Sequence, residues 1–360
     1  MTAPLFDPGL IGPVCLVTGG SGYLGRHLVL RLVETGCNVR SLDLAPGPPG
    51  SSGDSIVGDV RLYSDVRAAC EGVDTVFHTV ALIRLLARYR LEERLDVFEV
   101  NVVGTEHVIR ACRAAGVSRL VYTSSFNVAM GKPVCGGDES TPLIGSGDLL
   151  DLYSETKMLA ERAVLVADGV DGLRTVALRP GGIWGPGDDG MMLRAFIEQL
   201  AMGRFTALVG DGSARLDNTH VDNAVDAHLL AAAKLTETPE VVGGQPYFVT
   251  DAEPMNGLEW FRPLVEGLGQ RWPSRRIPAA IVFLVANVLE WLHFFGRPEP
   301  PLTRRGVLNI SRDGFFRIDR AREQLGYEPR VRAAEGIPAI LPDARRLFDR
   351  LASARSGSAR

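Results

Sequence analysis

The chain reads as an α/β protein, a doubly wound parallel sheet followed by a smaller C-terminal substrate lobe. Short apolar runs alternate with helical patterns across the first half, the order that builds βαβ units. A glycine-rich turn, Gly19-Gly20-Ser21-Gly22-Tyr23-Leu24-Gly25, falls between the first such run and the first helical pattern. Further on, Tyr153-Ser154-Glu155-Thr156-Lys157 sets a phenol and an amine four residues apart, on one face of a helix.

The first run is Val14 to Val17, ending at Thr18, and its unbroken apolar character suits a strand buried on both faces. Leu24, Leu28 and Leu32 then recur at helical spacing up to Gly36, a helix stop. Asn38 to Leu42 reads as the second strand and ends at Asp43. Glycines between a strand and a helix, with an acid closing the next strand, make a dinucleotide-binding expectation. The glycines let the backbone approach a pyrophosphate, and the helix N-terminus supplies amide donors. Asp43 would accept from the adenosine ribose, and its carboxylate would repel a 2′-phosphate. No arginine stands in the turn or directly after Asp43, so NAD is expected rather than NADP. The bland alternative is a tight turn with a loop aspartate.

Ala45 to Gly53 is a Pro/Gly/Ser loop. Gly58-Asp59-Val60 follows, placing Asp59 and Val60 near adenine, unless Asp59 only caps the next helix. Val73 to Ala81 carries a strand ending near His78, which is expected to be structural. Leu95 to Ala115 is helical in pattern and contains Asn101. Arg119 to Tyr122 is a strand leading into Thr123-Ser124-Ser125, and a helix from Tyr153 to Ala167 precedes a strand from Leu173 to Leu178. Gly19, His78, Ser125 and Pro180 each follow a strand, so they converge on the crevice at the carboxyl ends of the sheet. There a phenol is a poor base, with a free pKa of about 10. A neighbouring ammonium lowers it, letting Tyr153 exchange a proton with a substrate oxygen. Ser125 can hold that oxygen.

Several motifs occur in order: TGGSGYLG at Thr18, GDV at Gly58, NVVGT at Asn101, YTSS at Tyr122, YSETK at Tyr153, LRPGGIWGPG at Leu178, HVDN at His220 and LGYEP at Leu325. In these the chain resembles the extended short-chain dehydrogenase/reductase family, whose fold is Rossmann-type. The likeness is nearest to the 3β-hydroxysteroid dehydrogenase and sterol-4α-carboxylate 3-dehydrogenase branch. YTSSFNV, GGDES, GQPYFVTD and FRPLVEGLG are similar to its family 42E. The resemblance implies a catalytic set of Ser125, Tyr153 and Lys157, with Lys157 also on the nicotinamide ribose. It adds cofactor contacts from Gly19, Gly22, Tyr23, Leu24, Gly25, Asp43, Asp59, Val60 and Pro180. Asn101 is structural or holds water.

Length and composition bound the rest. The 360 residues carry 23% charged side chains and a net charge of −4, which gives no electrostatic case for nucleic acid. The expected division is a dinucleotide-binding domain over 10–180, then a substrate lobe over 181–350 that returns to the first core in places. A Ser/Ala/Arg-rich tail over 351–360 is expected to be disordered. Five cysteines and six histidines lack metal-ligand spacing, so packed thiols and no metal are expected. The N-terminal stretch has no secretory-signal pattern. Trp184, Met191, Met192, Phe196 and Phe261 are candidates to line a hydrophobic substrate site, or equally to be core.

Ile277 to Phe295 approaches the roughly 20 apolar residues that cross a bilayer, yet carries Asn287, Glu290 and His293. An interfacial or re-entrant helix on a membrane is expected there, with a buried core helix as the alternative. The expected setting is intracellular and membrane-associated, at the endoplasmic reticulum in a eukaryote, with a cytoplasmic enzyme as the alternative. Assembly is left open between a monomer and a homodimer. These readings combine into an NAD-dependent dehydrogenase oxidising a secondary, 3β-type hydroxyl of a steroid or sterol. The rivals are a nucleotide-sugar epimerase or dehydratase with the same triad, and a dinucleotide-binding protein without turnover.

Overall fold

Seven short runs, most of them apolar and buried, pair into one parallel sheet in the computed structural model, which describes residues 7–47, 54–84, 86, 90–145, 152–188, 192–295, 297–298, 300 and 302–358. The strands are β1 (Val14–Thr18), β2 (Asn38–Asp43), β3 (Ser55–Val57), β4 (Thr75–His78), β5 (Arg119–Thr123), β6 (Val134–Gly137), β7 (Arg174–Pro180), β8 (Gly182–Trp184), β9 (Leu208–Val209), β10 (Asn218–His220), β11 (Gln245–Val249), β12 (Arg276–Ile277) and β13 (Gly314–Phe316). The main sheet has the order β11-β7-β5-β4-β1-β2-β3. The remaining strands pair two by two outside it. The order in which strands are added to the sheet reverses between β1 and β4, the switch point where such sheets bind ligands. Thr18 pairs with Leu42 on one side and His78 on the other, so the loops after β1, β2 and β4 open on the same edge.

The helices are α1 (Tyr23–Glu34), α2 (Tyr63–Ala69), α3 (Leu91–Phe98), α4 (Gly104–Ala115), α5 (Leu152–Val166), α6 (Leu193–Ala201), α7 (Val221–Glu237), α8 (Pro239–Val242), α9 (Arg262–Gly267), α10 (Ala279–Phe294), α11 (Arg304–Ser311) and α12 (Ala333–Ser358). One face of the sheet packs Leu16, Val76 and Leu120 against Val108 and Cys112 of α4 and Val164 of α5. The other packs Val17, Phe77 and Val121 with Leu28 and Leu32 of α1 and Val225 and Leu229 of α7. Cover on both faces explains why the central strands read as continuous apolar runs rather than alternating ones. The helical pattern over Leu95–Ala115 is interrupted by a π turn at Glu99–Val103, and Asn101 lies within it. All five cysteines are free thiols, and only Cys135 is exposed.

β11 lies beyond the stretch where strands and helices visibly alternate. It tolerates Pro246 because it is an edge strand. Its outward-facing Phe248 N–H is capped by Glu139 Oε1 at 2.9 Å, which blunts the open edge.

Of the two readings open for the aromatic candidates, the structure takes the core one. Trp184, Phe196 and Phe261 are core residues, with Trp260, Leu264 and Ile337, and Met192 packs against the same cluster. Phe196 stacks on Phe261 at 4.0 Å and Trp184 meets Trp260 edge-on at 4.9 Å; their rings are spent on one another. Met191 lies outside the described residues. The chain end differs, since α12 continues through Ser358 where disorder was expected. Leu347, Phe348 and Leu351 seat that helix on the same cluster, and its Ala/Arg-rich turns are good helix formers.

Among the described residues no helix is long and apolar enough to cross a membrane. α10 is nonetheless apolar on its outer side. It turns Val282, Ala286, Glu290 and His293 inward and leaves Ile281, Leu284, Val285, Val288, Trp291 and Leu292 exposed.

Candidate active site

The glycine turn is built by close contact. Gly19 holds φ +78°, which a side chain rarely adopts. A Cβ on Gly25 would lie 1.9 Å from the Gly19 carbonyl oxygen, and one on Gly20 would lie 2.6 Å from Ser41 Cβ. The start of α1 is therefore pressed onto the turn, with Leu24 buried and Gly22 as the helix N-cap. Asp43, at the end of β2, receives Ser21 N on Oδ2 at 3.0 Å and Ala45 N on Oδ1 at 3.3 Å. Its carboxylate thus stands at the mouth of the turn, where a ribose hydroxyl would meet it. Tyr23 packs edge-on against His27 and beneath the Arg26 guanidinium.

Asp59, Arg61, Leu62, Glu99 and Val103 line a cavity of about 450 Å³ beside β2 and β3. Asp59 grips Arg61, accepting its backbone N–H at 2.9 Å and its guanidinium at 2.6 Å. Those contacts hold the Asp59 carboxyl below the usual carboxylate range, chiefly through the Arg61 side chain. Val60 buries its side chain against Gly104 and presents its carbonyl to His107 Nδ1 at 3.1 Å. Arg61 and Glu99 are wall residues that the sequence pattern did not single out, since α1, β2 and β3 separate Arg61 from the glycine turn and three further elements separate Glu99 from Arg61.

His78 closes β4 but does not face a ligand. It is fully buried, with Nδ1 2.6 Å from Thr18 Oγ1 and Nε2 2.9 Å from Thr105 Oγ1. Because Thr105 donates to the Asn101 carbonyl, the ring donates from Nε2 and accepts at Nδ1. Burial, with the Lys157 charge behind it, pushes its pKa down to about 3, so the ring is neutral. Asn101 is equally tied, bonding both backbone groups of Leu82 and the Thr156 hydroxyl. It is structural, pinning the loop after β4 to α5.

Ser125 follows β5, N-caps the short turn Phe126–Ala129 and accepts Asn127 N at 3.2 Å. Tyr153 stands half-buried in the first turn of α5, and Lys157 one turn later is 1% exposed. Lys157 Nζ donates to the Thr123 carbonyl at 2.5 Å and lies 4.3 Å from the Tyr122 ring centroid. Burial pulls its ammonium down from the ordinary lysine range to about 7, while the Glu161 carboxylate acts in the opposite sense. Pro180 is the last residue of β7, paired with Val249. Ser125, Tyr153 and Lys157 therefore come from β5 and α5, neighbours on the same edge of the sheet as the glycine turn. A phenol one helical turn from a buried ammonium, with a serine just past the strand end that holds that ammonium, is a set able to pass a proton to or from an alcohol oxygen.

The motif left Glu161 and Arg179 unmarked. Glu161 clasps Arg179 and Ser124 in the interior beneath Lys157. The available signal was helical spacing, since Glu161 repeats the Tyr153-to-Lys157 step once more.

Comparison with known proteins converges on this arrangement. The model of the 3-beta hydroxysteroid dehydrogenase/isomerase family matches residues 16–279. A 3 beta-hydroxysteroid dehydrogenase/Delta 5→4-isomerase of Mycobacterium tuberculosis is 44% identical, over 93% of this chain and 91% of its own length. Short-chain dehydrogenase/reductase family 42E member 1 of Danio rerio is 40% identical, over 89% of this chain and 86% of its own. Among solved structures, MoeE5 in complex with UDP-glucose and NAD matches with a TM-score of 0.71 at 26% identity, covering 92% of this chain and 98% of that one.

The contact at Gly25 yields a direct test. Gly25→Ala is expected to weaken NAD binding by at least about 100-fold in calorimetry, because α1 must lift off the turn to admit the methyl group. Unchanged affinity would show that the turn does not cradle the dinucleotide.

Proposed function

Because the chain belongs to the 3-beta hydroxysteroid dehydrogenase/isomerase family, we propose that it is an NAD-dependent oxidoreductase that oxidises a 3β-hydroxyl of a steroid or sterol to the ketone. The observation that carries this reading is the buried Lys157 ammonium, fixed on the Thr123 carbonyl one helical turn from Tyr153. NAD supplies the hydride acceptor when bound, held by the glycine turn around Gly19, Gly22 and Gly25, by Asp43 at its ribose and by the Asp59 cavity at its adenine. The close approach at Gly19, Gly20 and Gly25 fits that group.

Within this reading Ser125 holds the substrate oxygen and Tyr153 removes the hydroxyl proton. Lys157 makes that removal feasible. A cation within about 4–6 Å of a phenol lowers its pKa by an opposite-charge interaction, and a buried site strengthens the effect. Thr123 fixes the amine, so no reorganisation of a flexible side chain is needed at the moment of transfer. Residues 10–180 form the dinucleotide-binding half of this scheme, and 181–350 cover the substrate.

The steroid reading gains support from α10. Of the three polar residues that speak against a membrane setting, Glu290 and His293 point inward, while Asn287 is exposed. Glu290 accepts the Arg304 backbone N–H at 2.7 Å and its guanidinium at 2.8 Å, and His293 Nδ1 bonds the Arg297 carbonyl at 2.8 Å. The outer face is left apolar but for Asn287, with Trp291 61% and Phe295 64% exposed, and Arg275 and Arg276 precede it. Such a patch is large for a free surface and matches a helix lying in the headgroup region. The proposal places the enzyme at a membrane surface, where its lipid-like substrate is dissolved.

Tyr153→Phe is expected to lower NAD-linked oxidation of a 3β-hydroxysteroid such as dehydroepiandrosterone by about 10³-fold, with NAD affinity nearly intact. Retention of wild-type turnover would remove the proposed base. In vesicle flotation the wild-type protein is expected to rise with anionic liposomes. The Leu284→Glu/Val288→Glu double variant should stay at the bottom while melting at the same temperature. A wild-type protein that never floats would defeat the membrane proposal.

A further inference from the structure

Glu161 lies on α5 one turn beyond Lys157 and is fully buried. Its Oε2 accepts from Ser124 Oγ at 2.6 Å and Arg179 Nε at 2.9 Å, and its Oε1 accepts from Arg179 Nη2 at 2.6 Å. Arg179 is 2% exposed, sits next to Pro180 on β7, and lies over the Phe248 ring at 5.1 Å. One carboxylate therefore joins α5, the end of β5 and the end of β7. Stability alone does not call for such a pair, since buried ion pairs are often no better than apolar packing of the same volume. Its placement is more telling. Ser124, which Glu161 holds, separates Thr123, whose carbonyl receives Lys157, from Ser125.

We propose that Glu161, fixed by Arg179, is a positioning residue for the reaction: through Ser124 it sets the Thr123–Ser125 strand end, and through space it keeps Lys157 cationic. The inference rests on the reading of Tyr153 and Lys157 given above. The groups that face Lys157 are His78 from β4, Tyr122 from β5, Glu161 from its own helix, and Arg179 from β7 through the carboxylate it clasps, with Tyr153 one helical turn before it. His78 is neutral, and burial holds the Tyr122 hydroxyl well above its ordinary range, so it is un-ionised. Glu161 is thus the anion that opposes the effect of burial on the ammonium. Arg179, bonded twice to that carboxylate, fixes its position. Tyr153 is two helical turns from Glu161 and Lys157 only one, so loss of the carboxylate charge acts first on the amine. The sign follows. Without Glu161 the amine gives up its proton at a lower pH, and the alkaline limb of kcat moves down with it.

Glu161→Gln alone strands the Arg179 charge in the interior and can unfold the chain. The test variant is therefore E161Q/R179Q, which keeps an acceptor for Ser124 and removes both charges. Ser124→Ala is measured beside it. For the double variant, folded by circular dichroism and binding NAD normally, kcat should fall about 10-fold and its alkaline limb should drop by about one pH unit. Ser124→Ala should lower kcat about 5-fold with KM unchanged and the limb in place, the signature of lost transition-state positioning. A merely structural pair would lower the melting temperature and leave kcat and its pH profile where they were; that result overturns the proposal. Should the double variant fail to fold, a Ser124→Ala enzyme with wild-type kcat overturns the positioning role on its own. Turnover by Tyr153→Phe would instead count against the underlying reading, whatever Glu161 does.

Discussion

A lysine ammonium stripped of water, with 1% of its residue surface exposed, is the constraint that the neighbouring structure serves. Taking such a charge out of solvent costs several kcal/mol unless it is paired and hydrogen-bonded. Three groups from two elements meet that cost: the Thr123 carbonyl and the face of the Tyr122 ring at the end of β5, and the Glu161 carboxylate one turn along α5. Each also fixes something else. The strand end that presents Thr123 presents Ser125, and the helix that carries Lys157 carries Tyr153. Placing one cation therefore also places the strand end and the helix that carry Ser125 and Tyr153, the set proposed for proton transfer.

The surroundings avoid adding a second mobile charge. Thr123 is held from both ends, its carbonyl by Lys157 and its hydroxyl by His228 Nε2 at 2.7 Å. His228 donates from Nδ1 to the Ala224 carbonyl at 2.7 Å, and burial pushes its pKa down to about 4. His78 is in the opposite tautomer, accepting at Nδ1 and donating from Nε2. Both rings are neutral near physiological pH, so they orient the strand ends without competing with the amine. Buried polar groups with every partner in place rigidify a site in this way.

Much of this was legible in the sequence because it obeys local rules. The glycine turn, Asp43 and the YxxxK step are short-range patterns whose meaning depends on elements a few residues away. The fold class follows from continuous apolar runs, such as Val14–Val17, alternating with helices. What escaped notice depends on contacts between distant segments. β11 joins the sheet from the far side of α7, and Glu139 caps its edge from more than a hundred residues upstream in the chain. Arg61 and Glu99 line one cavity only because α2, which follows Arg61, packs on α4, into which the π turn leads. The aromatic residues Trp184, Phe196 and Phe261 were ambiguous from composition, and their mutual packing decides them as core. α10 was misleading in one respect, since Glu290 reads as a polar interruption until Arg304 is seen to neutralise it on the inner face. The inner and outer faces are divided by position and not by overall hydrophobicity.

The central claim is that the amine makes the phenol acidic, and the most direct measurement is the ultraviolet titration of tyrosinate in the NAD-bound protein. The account predicts one tyrosine ionising well below the free-phenol value of about 10 in the wild type. That transition should vanish in Tyr153→Phe and move up toward the free value in Lys157→Met. A wild-type titration with no tyrosine below the ordinary range, or a Lys157→Met curve identical to it, would contradict the account.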